Sequence, residues 1–244
     1  MRPVRRGISP IAHDYANYQD AKPDLVARLG PYCSFCERPV LTQLAVEHIQ
    51  PKGLPQYAHL IGRWSNFLLA CVNCNSTKKD KNVVLADMLL PDRDNTWVAF
   101  CYLPDGSIEP SVQANAVGLQ AIAGDSLKLT GMDKAAINTL DENGKRVALD
   151  RMSQRMETWL AAEEAKNDIQ NNPDNLALRS YVIKLAQKTG FFSIWMTVFV
   201  GDNDMVSRLI EAFPGTQASG CFDVNGVTIS PAPNPDQLAD GGKI

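Results

Sequence analysis

The sequence predicts an α+β protein, in which a small N-terminal module of short strands and turns precedes a mainly helical C-terminal region. Two Cys-x-x-Cys pairs, Cys33/Cys36 and Cys71/Cys74, enclose two short runs of β-forming residues. From about residue 133 onward, apolar residues recur at the three- and four-residue spacing of helices that bury one face. Hydrophobic residues make up 45% of the 244 positions, which is ordinary for a globular chain and sufficient for a core.

The N-terminal half is expected to alternate short elements with turns. A helix around Asp20–Leu29 ends at Gly30 and Pro31, because these residues stop helices. The loop between the two β-like runs is rich in proline and glycine, and the region 83–115 is expected to be irregular or β-rich. The β-like runs are Leu44–Ile49 and Asn66–Cys71, and a polar helix begins within Ser76–Lys81.

The second half is expected to be helical up to a polar tail. Its elements, in order, are a long helix over Asp133–Lys166, a helix over Leu176–Gln187, a buried apolar element over Phe191–Val200 and a helix over Asp204–Phe213. Residues 217–244 are rich in Gly, Pro, Ser, Asp and Asn, so we expect a flexible surface tail, disordered at least from Ser230. The chain would then divide into a domain over 1–100, a helical partner-docking domain over 101–216 and the tail.

The charge of the chain is distributed unevenly. The formal net charge is −3, so the whole molecule is not a polycation, and any surface for nucleic acid must be local. In the segment 31–82 basic residues outnumber acidic ones, and the N-terminus adds three arginines. The basic residues concerned are Arg38, Lys52, Arg63, Lys78, Lys79, Lys81, Arg2, Arg5 and Arg6, and the acidic residues of the segment are Glu37, Glu47 and Asp80.

Cys33, Cys36, Cys71 and Cys74 are the strongest candidates for a metal site. Each Cys-x-x-Cys pair places two sulfurs on one turn, and two pairs complete a tetrahedron of thiolates around Zn²⁺. Such a closed site is structural, because it leaves no open position for water. The alternative is that the four are buried free cysteines.

Cysteine usage and hydropathy predict a cytoplasmic protein that does not enter the membrane. In a reducing cytosol, paired cysteines are typical of metal ligands rather than disulfides, and the isolated Cys101 and Cys221 are expected to be free thiols. No apolar segment of a signal peptide follows the basic N-terminus. The longest apolar run, Ile194–Val200 with two phenylalanines before it, is too short to cross a bilayer.

Glu47, His48 and Asn75 supply the groups that metal-assisted hydrolysis of a phosphodiester needs. A hard divalent cation, Mg²⁺ or Mn²⁺, stabilises the growing negative charge, and the side-chain oxygens of Glu47 and Asn75 are suitable ligands for it. Neutral His48, with an unperturbed pKa of about 6.5, is a suitable base for activating water. Asn66 is expected to bond backbone in the loop between the strands and to orient His48.

Four basic residues are candidates for contacts with nucleic-acid phosphates, namely Lys52, Arg63, Lys78 and Lys79. Lys78 and Lys79 lie about one turn beyond Asn75 on the expected helix, close to the candidate site. For Arg63, a solvated loop charge is an equal alternative.

The order and spacing of these residues resemble the zinc-bearing form of the HNH nuclease family. That form has an acid-His-Ile-x-Pro segment, then Asn-Leu-x-x-Leu-Cys-x-x-Cys-Asn-x-x-Lys. The matching segments are Glu47-His48-Ile49-Gln50-Pro51, Asn66-Phe67-Leu68-Leu69 and Cys71-Val72-Asn73-Cys74-Asn75-Ser76-Thr77-Lys78. Glu47 stands where Asp is frequent, and Phe67 replaces the usual Leu. The resemblance covers residues 31–82 and implies a ββα-metal fold, in which a hairpin and a helix surround one divalent ion. It also implies endonuclease activity, with a DNA duplex contacted mainly through its backbone and minor groove.

The second half has a fainter resemblance to the HNH nuclease subunit of Septu-type anti-phage defence systems. The segments concerned are Leu129-Thr130-Gly131-Met132, Arg146 with Arg151, Phe192-Ser193-Ile194-Trp195-Met196 and Phe213-Pro214-Gly215-Thr216. This resemblance implies a nuclease that works in antiviral defence with a partner ATPase subunit.

Two other functions are compatible with the same residues. One is a non-catalytic zinc module that binds nucleic acid or protein, although such a module does not need Glu47, His48 and Asn75 together. The other is a toxin-like nuclease that cleaves RNA, because the same chemistry attacks either backbone.

Overall fold

Two short antiparallel hairpins and a larger set of helices make up the computed structural model, which describes residues 1–134 and 151–244. In the first half the elements are α1 (Lys22–Leu29), β1 (Ala45–His48), β2 (Phe67–Ala70), α2 (Val72–Lys78), α3 (Thr96–Ala99), β3 (Phe100–Tyr102), β4 (Ile108–Pro110), α4 (Val112–Ala116) and α5 (Gln120–Thr130). In the second half they are α6 (Arg151–Asn171), α7 (Leu176–Thr189), α8 (Phe192–Val198) and α9 (Asn203–Ala212). The predicted α+β class, with a mainly helical C-terminal region, is confirmed.

The first hairpin and the helix after it form the part of the fold that carries the candidate site. β1 pairs antiparallel with β2, so that Glu47 lies opposite Leu68 and His48 lies opposite Phe67. All four residues of β2 are buried, as an apolar run without alternation predicts. Cys71 follows with an extended backbone and begins α2, which contacts β1. Strand, strand and helix therefore occur in the ββα order.

Helix α5 is the main element of the first half that the sequence pattern did not predict. It packs against α2 and against β4. It ends at Gly131, whose left-handed backbone, with φ of +66°, is the usual way to terminate a helix. Two residues of the stretch from Gln120 to Thr130 are serine and glycine, which weakened its helical signal.

Helices α7, α8 and α9 agree with the predicted pattern within a few residues. Part of the predicted helix over Asp133–Lys166 lies outside the described residues, and the remainder falls in α6. Polar side chains cap two of the others, because Asn175 accepts from the backbone N–H of Leu178 and Asp202 accepts from that of Met205. The predicted buried element is helix α8, in which only Thr197 is not fully buried.

Residues 217–244 differ from the flexible tail that their composition predicted. The segment has little regular structure, but it packs onto residues 91–96 of the first half. The backbone N–H of Asn95 donates to the carbonyl of Ile244 at 2.9 Å, and that of Lys243 donates to the side-chain Oδ1 of Asp94 at 3.0 Å. Ile244 itself is buried. Hydrogen bonds to the backbone and side chains of residues 91–96 thus order a segment whose low apolar content predicted disorder.

The expected domain boundary at residue 100 runs through packed structure. The carboxylate of Glu37, next to Cys36, accepts from Tyr102 Oη at 2.9 Å and from the N–H and hydroxyl of Ser193 at 2.7 and 2.6 Å. The Met1 amine lies 3.5 Å from the same carboxylate. A Cβ on Gly190 would come within 2.7 Å of the Glu37 carbonyl, so only glycine allows this close approach.

Among residues 1–134 and 151–244, no helix is both long and apolar enough to span a bilayer.

Candidate active site and metal centre

Four buried thiols meet at the junction of the first cysteine turn and α2. The sulfur atoms of Cys33, Cys36, Cys71 and Cys74 all lie within 4.8 Å of one another. The Cys36 and Cys71 sulfurs are 3.7 Å apart. Tetrahedral Zn²⁺ with bonds of about 2.3 Å requires sulfurs about 3.8 Å apart, so the cluster has the right size for that ion.

Local backbone geometry explains how each pair reaches the cluster. The N–H of Cys33 donates to the Arg38 carbonyl at 3.0 Å, and the N–H of Glu37 donates to the Cys33 carbonyl at 2.9 Å. Glu37 has a φ of +65°, which closes the tight turn around the first two sulfurs. Cys71 and Cys74 stand at the start of α2, so the first helical turn aims both sulfurs the same way.

The electrostatics of the cluster favour a bound cation. Burial raises the pKa of the Cys33 thiol, whereas hydrogen bonds from the other thiols, Cys33 first, lower the pKa of Cys71. Four buried sulfurs cannot all ionise beside one another unless a metal ion compensates their charge. The donor set therefore fits Zn²⁺, and four protein ligands leave no open position for catalysis.

Arg151 is a neighbour of this centre that the metal-site prediction did not include. Its Nη1 lies 3.3 Å from the Cys74 sulfur and also donates to the Thr130 carbonyl at 2.7 Å. The guanidinium places positive charge beside a thiolate cluster that would be negative even with Zn²⁺ bound. Sequence spacing could not reveal this contact, because 77 positions separate Arg151 from Cys74.

A cleft of about 160 Å³ opens between β1 and α2. Glu47 and His48 line it from the strand, and Asn75 lines it from the helix. Tyr18, Gln19, Ala45, Val46, Pro51, Lys52, Lys79 and Asp80 complete the lining. The structure thus brings together the acid, the histidine and the amide that the sequence singled out, and carboxylate and amide oxygens in one small cleft fit a Mg²⁺ or Mn²⁺ ion.

His48 is held on three sides. Its Nε2 lies 2.9 Å from the Ile61 carbonyl, and its ring meets Tyr18 and Phe67 edge-on at centroid distances of 4.7 and 5.2 Å. A carbonyl only accepts, so Nε2 carries the proton in the neutral ring, and Nδ1 keeps its lone pair. Burial lowers the pKa of His48. The bond to the Ile61 carbonyl opposes this effect, and the charges of Lys52 and Lys78 add to it, so the net lowering favours the neutral form.

Glu47 is paired with a buried lysine. Its Oε1 lies 2.7 Å from Lys78 Nζ, and both side chains are almost fully buried. Burial raises the pKa of Glu47, and the charge of Lys78 partly offsets this effect. Lys78 was predicted to contact phosphates, but its ammonium points inward to Glu47 and away from solvent.

Asn66 bonds backbone across the loop that separates the strands, as expected. Its Oδ1 accepts from the N–H of Gln50 at 2.8 Å, and its Nδ2 donates to the Gln50 carbonyl at 3.0 Å. The same Nδ2 lies 3.4 Å from the Leu60 carbonyl, one residue before the one that bonds His48. The amide thereby fixes both ends of the loop behind the imidazole.

The remaining basic candidates lie at different places. Lys52 and Lys79 are exposed and line the cleft, and Lys52 Nζ lies 2.6 Å from Tyr18 Oη. Arg63 lines a separate, larger cleft with Arg5 and forms an exposed ion pair with Asp14 at 2.9 Å. The structure therefore does not bring Arg63 into the same cleft as His48.

Tyr18 and Asp80 line the cleft although sequence reasoning did not select them. Tyr18 packs on His48 from a 3₁₀ turn that precedes α1. Its position thirty residues before His48 gave no local signal. Asp80 comes two residues after Lys78, the last residue of α2, and this closeness to the candidate helix was the available indication in the sequence.

Comparison with known proteins supports the reading of this region. A family model described as HNH endonuclease matches residues 33–81. No curated protein matches the chain significantly. The matched segment runs from the first metal-site cysteine to just beyond α2, and it contains the complete cysteine cluster together with Glu47, His48 and Asn75. Residues 33–81 of this chain are therefore an HNH endonuclease domain, with four cysteines positioned to bind a metal ion.

Proposed function

We propose that this chain is a metal-dependent endonuclease that hydrolyses phosphodiester bonds in the cleft between β1 and α2. The observation that carries the proposal is the shared lining of this cleft by Glu47, His48 and Asn75, inside the matched domain. A protein that only binds nucleic acid through a zinc module has no need of this combination.

His48 is the proposed general base. Its Nδ1 accepts a proton from a water molecule, while Nε2–H stays bonded to the Ile61 carbonyl and keeps the ring in place. The water oxygen then bonds to phosphorus, the bond from phosphorus to the leaving sugar oxygen breaks, and that oxygen takes a proton from solvent. Asn66 supports this step by holding the loop that presents Ile61.

Glu47 and Asn75 are the proposed ligands of the catalytic cation. Bound Mg²⁺ or Mn²⁺ supplies charge stabilisation at the scissile phosphate. Glu47 presents a carboxylate that Lys78 already holds in one orientation, and Asn75 faces it from the helix. A Zn²⁺ ion held by the four cysteines would serve the fold, because these residues lie in the turn before β1 and at the start of α2.

DNA is the proposed substrate, ahead of RNA, because the resemblance in residues 31–82 is to nucleases of DNA. Lys52 and Lys79 are placed to meet phosphates on either side of the cleavage site, since both are exposed at the rim of the cleft. Arg63, in the adjacent cleft, is the candidate for a phosphate farther along the strand. A chain with a net charge of −3 and so few rim cations binds DNA weakly alone.

We also propose that a protein partner, such as an ATPase subunit, recruits this nuclease in anti-phage defence in the cytoplasm. The support is the resemblance in the second half and the weak autonomous binding expected from charge. Phe191 and Phe213, in the apolar segment Phe191–Val200 and the helix over Asp204–Phe213, are core residues that would shape a docking face from beneath. A partner would therefore meet exposed apolar side chains of α6 and α7, namely Met156, Leu160, Leu176 and Tyr181.

The direct test uses purified, zinc-loaded protein with supercoiled plasmid and, separately, with structured RNA. Cleavage of plasmid that requires added Mg²⁺ or Mn²⁺ and is lost in Asn75→Ala supports the proposal. Cleavage of RNA alone would favour the toxin-like alternative. Binding without cleavage of either substrate, at any divalent ion concentration, would favour the non-catalytic module.

A further inference from the structure

Lys78 has a buried position that is unusual for a lysine. It is the last residue of α2, and its side chain is 1% exposed. Lysine is rarely buried to this extent unless its ammonium is paired. The next residue, Lys79, is exposed at the rim of the cleft. The end of α2 is therefore close to solvent, and yet the side chain of Lys78 lies inside the protein.

The ammonium of Lys78 contacts two consecutive residues of β1. Nζ lies 2.7 Å from Oε1 of Glu47 and donates to the main-chain carbonyl of His48 at 2.7 Å. An ammonium has three donors, and these contacts use two of them on the residues proposed as metal ligand and base. A methyl-terminated side chain would fill the same space without either contact.

The position of Lys78 on α2 extends its effect to the other side of the cleft. Asn75 and Lys78 are three residues apart and therefore share a helix face. A bond from Lys78 to β1 holds this face of the helix against the strand. It thereby sets the separation between Asn75 and Glu47, across which a divalent ion would bind.

Burial of this ion pair is a poor way to stabilise a fold. Removing two charges from water costs free energy that their attraction does not fully return, and an apolar pair of similar volume is often as stable or more so. What an apolar pair cannot do is orient a carboxylate and a carbonyl at the same time. The geometry is therefore better explained by the needs of the site than by those of the core.

We propose that Lys78 is a positioning residue of the nuclease site, which fixes Glu47, the His48 main chain and the Asn75 face of α2 relative to one another. This proposal rests on the nuclease function proposed above. Lys78 does not touch the substrate, so its removal should lower kcat and leave KM for DNA nearly unchanged. Residues that orient metal ligands in this way commonly affect activity about 10- to 100-fold.

The kinetic test compares two substitutions of the same kind at adjacent positions. Lys78→Met should lower kcat about 10- to 100-fold, with zinc content and the melting transition showing that the protein remains folded. Lys79→Met removes the same charge from the rim and should raise KM with kcat largely kept. Equal kcat in Lys78→Met and wild type, or a change confined to KM, would overturn the proposal.

A spectroscopic test separates this proposal from the nuclease function itself. Glu47→Gln should keep the contact of Lys78 with the His48 carbonyl. The double substitution Glu47→Gln/Lys78→Met removes that contact, and it leaves no unpaired buried carboxylate at position 47. The imidazole ¹H and ¹⁵N signals of His48 should match wild type in the first variant and shift or broaden in the second. His13 and His59 are exposed and provide internal references.

Each outcome of this test bears on Lys78. Unchanged His48 signals in the double variant would overturn the proposal, and so would loss of zinc and fold in both Lys78 variants, because the role would then be structural. If wild-type protein cleaves nothing, the proposed function fails, but the His48 signals still report whether Lys78 positions this residue.

Discussion

Ser193 donates two hydrogen bonds to Glu37, one from its backbone N–H at 2.7 Å and one from its hydroxyl at 2.6 Å. Glu37 directly follows a metal-site cysteine, and Ser193 lies in the first turn of α8. The pair therefore joins the metal centre to the helical half of the chain. The nuclease module and the helices form one packed structure, and the following predictions test its parts.

Glu37→Ala should destabilise the whole chain. The change leaves the N–H and hydroxyl of Ser193 and the hydroxyl of Tyr102 without their buried acceptor, and each such loss costs about 1–3 kcal/mol. Urea denaturation followed by circular dichroism would measure the free energy of unfolding. Glu109→Ala, at an exposed position of β4, is the control and should change stability little. If the helices of the second half unfold at the same denaturant concentration in Glu37→Ala as in wild type, Glu37 does not join the two halves.

The cysteine cluster should hold about one zinc ion per chain. Cys33→Ser or Cys74→Ser removes one thiolate and should release the metal and unfold the nuclease module, because metal binding and folding are coupled in such sites. Cys101→Ser is the matched control, since Cys101 is exposed and outside the cluster. Elemental analysis of purified protein measures the number of zinc ions per chain. A well-folded preparation without zinc would refute the assignment.

Asp92→Asn should cost much more stability than Asp14→Asn. Asp92 is buried between Arg6 at 2.7 Å and Arg93 at 3.0 Å, whereas Asp14 pairs with Arg63 at the surface. Breaking a buried pair costs about 3–5 kcal/mol, and an exposed pair contributes about 0–1 kcal/mol.

The pH of that comparison matters. Burial opposes ionisation of Asp92, but Arg93 and Arg6 outweigh it and lower its pKa from 3.8 to about 2. A lowered carboxyl pKa contributes stability that is fully present above the unfolded value and is lost as pH falls toward 2. Denaturation at pH 7 therefore measures the full effect. Equal losses in the two variants would show that the buried pairs of Asp92 with Arg6 and Arg93 contribute no more to stability than an exposed pair.

Lys52→Met and Lys79→Met should weaken DNA binding uniformly across sequences. Each removes one exposed rim cation, so each should reduce the dependence of log K on log salt by about 1. Fluorescence anisotropy at several salt concentrations would measure this slope. Lys184→Met, at an exposed position of α7, is the control for the loss of a charge. An unchanged slope in both rim variants would place the DNA elsewhere on the surface.

The parts of the structure that local spacing determines were predictable from the sequence. The two strands and the convergence of sulfurs within each Cys-x-x-Cys pair follow from short patterns, in which residues a few positions apart decide the outcome. The meeting of the two pairs, across 35 positions, was predictable because four thiolates are a common ligand set of structural Zn²⁺. Helix α8 was predicted as a buried element because its apolar run is continuous.

The features that the sequence did not predict depend on contacts between distant segments. Lys78 looked like a surface cation, because its partners Glu47 and His48 lie about thirty positions away. Arg151 reaches Cys74 only after the chain folds back. The segment 217–244 looked disordered because composition does not show that residues 91–96 offer backbone partners to it.

His48→Ala tests the central claim most directly. Cleavage of supercoiled plasmid in the presence of Mn²⁺ should fall at least about 100-fold, because a general base contributes about 10²- to 10⁴-fold to such reactions. Zinc content and the melting transition must stay near wild type, and His59→Ala, at an exposed position, should cleave like wild type. Full cleavage by folded, zinc-loaded His48→Ala would contradict the assignment of the cleft between β1 and α2 as the active site.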